Sequence, residues 1–314
     1  MNNLSEIYSN DRVTLREVGL RDGLQMVRTF PSTEAKRRWI AAEYAAGVRH
    51  FEVGSFLPVS RMPQFADVRE LITTVAGLDG AYSSALALNE RGGLDALETE
   101  LDEIVCVVSA TEEHSQANMR RSRADAIALV GKIADLARAS SSPPRINVAI
   151  SMAFGCSIAG AVSHSEVLRL LEACLEAGAD NVAIADTVGF AGPRQVEDLC
   201  SATARLCGDR PFIVHLHDTR GMGIANASAA LDGGARVLDG SLGGLGGCPF
   251  APGATGNVVY EDLVFLCETK GFATGIDLEA LTAVRAIPEA EMPDEKFYGA
   301  LARAGVPSGL EWRA

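Results

Sequence analysis

The chain is predicted to fold as a (β/α)8 barrel, the TIM-barrel class, with extra helices at its C-terminal end. Eight short runs rich in β-branched or small apolar residues can be counted, helical patterns fall between them, and the joints are short. Strands alternating with helices argue for parallel pairing, and eight such units close into a cylinder, whereas an open doubly wound sheet usually shows fewer. A length of 314 residues suits one such unit, since a barrel can absorb about 250 residues or more.

In chain order the expected strands are 13–18, 50–55, 81–87, 103–109, 146–152, 181–186, 212–217 and 237–242. Helical periodicity occupies Thr33–Ala46, Ala124–Ala139, Ser165–Ala177 and Pro193–Leu206 among the intervals. Three helix-to-strand joints share one form: Ala46-Gly47-Val48, Ala177-Gly178-Ala179 and Gly233-Gly234-Ala235. In each, Gly stands where a helix needs a left-handed terminal residue before a strand resumes. Ser140–Pro144 reads as a loop between units four and five, because a boundary there would leave two half-barrels. The chain reads as one domain over 1–314, with the barrel at about 12–285. A Pro-containing helical extension, about 286–314, is expected to pack across one barrel end.

Composition narrows the function. A net charge of −13 argues against nucleic acid as the main partner, because phosphate binding needs clustered Lys and Arg. Seven cysteines, an odd number and with no Cys-x-x-Cys pair, suit a reducing compartment better than a disulfide framework. No apolar run approaches the roughly 20 residues of a membrane helix, and the first residues carry no leader pattern. A cytoplasmic protein is the expectation. No Gly-x-Gly-x-x-Gly follows the first strand, so a dinucleotide site has no support.

Barrel chemistry gathers at the carboxyl ends of the strands, and here those ends are polar. Strand 1 leads into Arg21-Asp22-Gly23-Leu24-Gln25, strand 2 carries Glu52, strand 6 ends in Asp186, and strand 7 contains His215-Leu216-His217-Asp218. A Gly-rich stretch from Gly243 to Asn257 follows strand 8 and holds Cys248. Residues two apart on a strand project to one side, so His215 and His217 can share a metal. One of them hydrogen-bonding to a neighbouring strand is the plainer alternative. Closure makes strands 7, 8 and 1 neighbours, which lets Asp22, His215, His217 and Asn257 converge. Two imidazoles with two oxygens suit an octahedral Mg²⁺ or Mn²⁺ ion, with Zn²⁺ or Co²⁺ as alternatives. Arg21 beside Asp22 reads either as a surface ion pair or as a buried catalytic cation. Glu52 and Asp186 read as site carboxylates or as structural partners of Arg or Lys, and Cys248 as a site thiol or a small residue in a crowded loop.

These motifs carry a family resemblance. Over roughly residues 12 to 285 the chain resembles the 3-hydroxy-3-methylglutaryl-CoA lyases, in a superfamily that also contains isopropylmalate and homocitrate synthases. The resemblance rests on residues 17–25 (Glu-Val-Gly-Leu-Arg-Asp-Gly-Leu-Gln), 186–189 (Asp-Thr-Val-Gly), 215–221 (His-Leu-His-Asp-Thr-Arg-Gly) and the 243–257 loop. The Gly-Gly-Cys-Pro segment at 246–249 is similar to the lyases and differs from the condensing synthases. The resemblance implies a metal-assisted retro-Claisen cleavage of 3-hydroxy-3-methylglutaryl-CoA, or a close 3-hydroxy-3-substituted acyl-CoA, to acetyl-CoA and a keto acid such as acetoacetate. It implies that Asp22, His215, His217 and Asn257 bind the metal, and that Arg21 stabilises the thioester enolate. Cys248 would move a proton, and Gln25, Glu52 and Asp186 would shape the substrate or hold the network. Asp22 and His217 both stand as the general base. The substrate would bring coenzyme A as its only organic cofactor, with Arg49, Arg61, Arg120, Arg121 and Arg123 available to grip it; a homodimer is also implied. Leu20, Met26 and Val27 depart from the family's usual Pro, Asn and Glu, beside the Arg-Asp pair, which leaves citramalyl-CoA or a longer 3-substituted glutaryl-CoA as alternatives. A condensing synthase or aldolase of the same superfamily and a catalytically silent binding subunit are the competing readings.

Overall fold

A computed structural model describes residues 4–8, 12–247 and 256–308. Eight parallel strands close in sequence order: β1 (Thr14–Glu17), β2 (His50–Ser55), β3 (Tyr82–Leu86), β4 (Glu103–Ser109), β5 (Arg145–Ser151), β6 (Asn181–Asp186), β7 (Phe212–Leu216) and β8 (Val237–Gly240). Closure is made by β1 pairing with β8, from Thr14 opposite Val237 to Glu17 opposite Gly240. The eight strands of the sequence reading are all present, within two residues at each end.

The helices are α1 (Leu4–Ile7), α2 (Thr33–Ala45), α3 (Val68–Ala76), α4 (Glu90–Leu97), α5 (Glu112–Met119), α6 (Arg123–Arg138) and α7 (His164–Glu176), then α8 (Pro193–Cys207), α9 (Gly223–Asp232), α10 (Tyr260–Thr269), α11 (Leu278–Val284), α12 (Ala286–Glu291) and α13 (Ala300–Ala304). Helix starts follow capping chemistry: Ser32, Asn89, Thr111, Ser122 and Ser163 each accept a first-turn N–H, a group the helix itself leaves without a partner. Gly47, Gly178 and Gly234, at the three similar joints, have φ of 108°, 107° and 96°. Strands buried on both faces, by the outer helices and by the barrel filling, explain their near-continuous apolar runs.

The C-terminal helices climb the flank of the barrel. Asp277 N–H donates to the Ala46 carbonyl at the amino end. From there α11 and α12 pack on α2, and α13 packs on α10. The segment between α12 and α13 reaches the carboxyl end, where Tyr298 N–H donates to Gly243 O. The extension thus packs along the side through α11, α12 and α13 and meets the carboxyl end through the segment that carries Tyr298. Among the described residues no helix is long and apolar enough to cross a membrane.

Candidate metal centre at the carboxyl end of the barrel

The site begins with a tight turn after β1. The N–H groups of Arg21, Asp22 and Gly23 all converge on the Val18 carbonyl, at 3.1, 2.8 and 3.1 Å. Glu17, fully buried, braces this turn by accepting from Gly19 N–H at 3.0 Å and ties it to the β8 loop by accepting from Leu242 N–H at 2.9 Å. Turn and loop therefore share one carboxyl group. Burial lifts the Glu17 pKa from the ordinary 4.5 to about 8 against those backbone donors, with the Glu261 carboxylate adding to the rise. Since the folded-state pKa is raised, the stability tied to this proton is full below about 4.5 and is lost as the pH rises towards 8. Glu17→Gln is therefore expected to melt above the parent at pH 8 and to lose that advantage at pH 5. An equal difference at both pH values in thermal melts would contradict this.

Asp22 and Arg21 leave the turn pointing into the barrel mouth. Arg21 pairs with Asp22 at 2.6 Å through Nη1 and with Glu52 at 2.9 Å through Nε, and Nη1 also donates to Gln25 Oε1 at 3.3 Å. With its side chain only 13% exposed, Arg21 is an interior cation, which removes the surface-pair reading. Glu52 sits beside a register shift between β2 and β3, an irregularity of the kind that re-aims side chains at barrel rims.

His215 lies on β7 and His217 just past its end, with ring centroids 5.2 Å apart. The alternation argument holds although His217 is one residue beyond the ladder, because it stays extended and bridges Asn257. That bridge is how Asn257 arrives: Val258 N–H donates to Leu216 O and Asp218 N–H to Gly256 O, lashing the chain beyond the Gly-rich loop to the end of β7. Glycine is required there. A Cβ on Gly246, whose φ is 125°, would lie 2.6 Å from Asn257 Nδ2, and one on Gly256 would lie 2.1 Å from the Gly244 carbonyl oxygen.

Asp22, His215 and His217 each present a ligand atom within 4.8 Å of the others, and all three are buried. Asp22 Oδ2 lies 3.9 Å from His215 Nε2, 3.5 Å from His217 Nε2 and 2.8 Å from Asn257 Nδ2. Burial alone would raise the Asp22 pKa; Arg21, the two imidazoles and the Asn257 amide outweigh it and hold the carboxylate well below its usual range. Burial pushes His217 down to about 4, so it is neutral near pH 7, the form in which an imidazole ligates a metal. Buried Asn257 Oδ1 and His217 Nδ1 have no hydrogen-bond partner among the described residues. One carboxylate, two imidazoles and one unclaimed amide oxygen fit a divalent cation, so this group can hold a metal ion.

These residues open on a cavity of about 310 Å³. Arg21, Asp22, Gln25, Glu52, His215 and His217 all line it, and its opposite wall is built from small or apolar residues such as Val105, Val107, Ala149, Ala183 and Ala185. Asp186 is placed differently: its two oxygens accept from Phe190 and Ala191 N–H at 2.8 and 3.1 Å, so it holds the β6 loop while its neighbour Thr187 faces the cavity. Cys248 lies outside the described residues. Of the five arginines suggested for coenzyme A, Arg61 lines this cavity. Arg49 is at the opposite end, over the Tyr44 ring at 4.1 Å and donating to the Tyr44 and Val48 carbonyls, and Arg123 is tied to Glu112 and Glu166.

Sequence reasoning missed Asp239, whose Oδ2 lies 3.0 Å from His215 Nδ1, and Arg16, which holds Asp239. The available signal was a carboxylate on an otherwise apolar eighth strand, next to the histidine-bearing seventh.

Known proteins resemble this chain in sequence and in fold. The HMGL-like family model matches residues 12–287. A hydroxymethylglutaryl-CoA lyase of Bacillus subtilis is 35% identical over 270 residues, 86% of this chain and 90% of its own length. An (R)-citramalyl-CoA lyase of Chloroflexus aurantiacus is 37% identical over 283 residues, covering 87% and 89%. The structure of an HMG-CoA lyase from Acenitobacter baumannii, in complex with coenzyme A and 3-methylmalate, superposes with a TM-score of 0.88 at 36% identity, covering 96% of this chain and 98% of that one. Matched along nearly its whole length, with the Asp22, His215 and His217 cluster at the barrel mouth, this chain belongs to the HMGL-like family of lyases.

Proposed function

We propose that this lyase uses a divalent cation, Mg²⁺ or Mn²⁺, to cleave 3-hydroxy-3-methylglutaryl-CoA or a closely related 3-hydroxy-3-substituted acyl-CoA by a retro-Claisen reaction. The observation that carries the reading is the meeting of Asp22, His215 and His217 in one cavity with the interior guanidinium of Arg21, with the Asn257 amide donating to Asp22 beside them. The oxygen-and-imidazole donor set, free of thiolates among the described residues, favours a hard or borderline cation over a closed structural zinc site. When bound, the ion would lower the pKa of the substrate hydroxyl and hold its oxygens.

The chain's own residues supply the rest. Asp22, kept ionised, and His217, kept neutral, both face the cavity and can accept the hydroxyl proton. As the carbon–carbon bond breaks, its electron pair forms the enolate of acetyl-CoA. Arg21 is aimed by Glu52 and Asp22 and faces that charge in a site largely closed to water. The enolate carbon then takes a proton, a role we give to Cys248. Gln25 and Glu52 set the Arg21 side chain against the substrate, and Asp186 holds the loop that carries Thr187.

Citramalyl-CoA is the second substrate reading, favoured by the 37% identity to the (R)-citramalyl-CoA lyase. The two thioesters differ by one methylene in the carboxylate arm and yield acetoacetate and pyruvate, respectively, beside acetyl-CoA. Offering both to the Mg²⁺- or Mn²⁺-loaded protein and identifying the keto acid decides between them. Release of neither keto acid, nor of one from longer 3-substituted glutaryl-CoA thioesters, would overturn the lyase substrate class proposed here.

A further inference from the structure

His215 and His217 are held in different ways. Buried His217 has no partner at Nδ1 among the described residues, whereas His215 Nδ1 lies 3.0 Å from Asp239 Oδ2. Asp239 is the one carboxylate of β8, and in register it stands directly opposite Arg16 of β1. Its other oxygen meets Arg16 Nε at 3.0 Å. Arg16 reaches on through Nη1 to Glu103 of β4 at 2.9 Å. Glu103 is held in turn by Asn147 Nδ2 at 3.0 Å and by the Tyr8 hydroxyl at 3.1 Å. All of these groups are buried. They form a polar column through the barrel filling, running from the N-terminal segment at the amino end to the metal centre at the carboxyl end.

A buried carboxylate costs free energy unless it is paired, and the filling around Asp239 is otherwise the place for apolar layers. What a carboxylate does here that an apolar residue cannot is to accept the Nδ1 proton of His215. A neutral imidazole that donates at Nδ1 has its lone pair at Nε2, and Nε2 is the atom directed at Asp22. We infer that Asp239, anchored by Arg16, is the positioning residue for His215: it fixes the ring's tautomer and orientation so that Nε2 is ready for the cation before the cation arrives. This rests on the metal centre proposed above. The fork of Arg16, spanning Glu103 and Asp239 with two different nitrogens, is what a lysine could not reproduce.

The test uses the full chain stripped of metal. Mn²⁺ affinity is read by electron paramagnetic resonance of the free ion, and imidazole tautomers by long-range ¹H–¹⁵N correlation, which five histidines keep tractable. The parent is expected to hold His215 as the Nδ1–H form. Asp239→Asn should lose that form's dominance and weaken Mn²⁺ binding about 10- to 100-fold, the range for removing an outer partner of a metal-bound histidine. Arg16→Lys, which keeps the charge, should fall between the two proteins in both readouts. An unchanged tautomer together with Mn²⁺ affinity within about twofold of the parent, in either variant, would overturn the inference. A parent that binds no Mn²⁺ would defeat the metal reading instead, and the tautomer comparison would still decide the role of Asp239.

Discussion

Arg21→Met is expected to cut turnover by about 10³-fold or more, the upper range for losing one preorganised charge stabiliser. The side chain is nearly isosteric along its stem, so the change removes charge and donors more than volume. In the native site the guanidinium is aimed by Glu52 at 2.9 Å and Asp22 at 2.6 Å, so no reorganisation is needed when negative charge develops on the thioester oxygen. The loss should appear in kcat with metal affinity largely retained, because Arg21 offers no ligand atom. A variant within about tenfold of parental turnover would remove Arg21 from the chemistry. Glu52, left without its cation, would then lie buried against Arg16 alone, so melting curves must show that the variant is folded before its kinetics are read.

The second large effect is expected at Asp22. Chelator treatment should abolish cleavage, and Mg²⁺ or Mn²⁺ should restore it. Asp22→Asn should weaken metal binding by more than about 100-fold, beyond the range seen for outer partners of a metal-bound histidine. Among Asp22, His215 and His217 it brings the one negative charge, and neutral imidazoles alone attract a hard cation weakly. Because Asp22 also pairs with Arg21 and accepts from Asn257, one substitution would loosen the turn after β1 and the segment after β8 together. Isothermal titration of the variant with Mn²⁺ measures this. Full activity in the chelated enzyme, or near-parental affinity in Asp22→Asn, would refute the metal-centred reading.

Much of this architecture was legible from local pattern. Alternating strand and helix periods, with Gly at three similar joints, identify eight units, and each strand lies within two residues of its expected position. The metal cluster was legible for a related reason. Side-chain alternation within one strand puts His215 and His217 on one side, and closure of the barrel makes the strand carrying them, the eighth strand and the turn carrying Asp22 neighbours.

Other features depend on where a side chain is aimed across the barrel, which no local period encodes. Glu17 and Asp239 look alike in the sequence, each the single carboxylate of its strand. Glu17 faces outward to brace the Arg21–Asp22 turn, and Asp239 faces inward between Arg16 and His215. Asp186 ends its strand as a site residue would, yet its oxygens are taken by loop N–H groups. Arg49 is a free cation in the sequence and lies at the opposite end of the molecule from the cavity. By itself the sequence determined the number of barrel units, the family and the residues able to meet at the mouth, because repeating local chemistry and short motifs carry that information. Tertiary structure alone decided which buried charges face each other, since those pairings join strands dozens of residues apart and are set by the register and closure of the whole sheet.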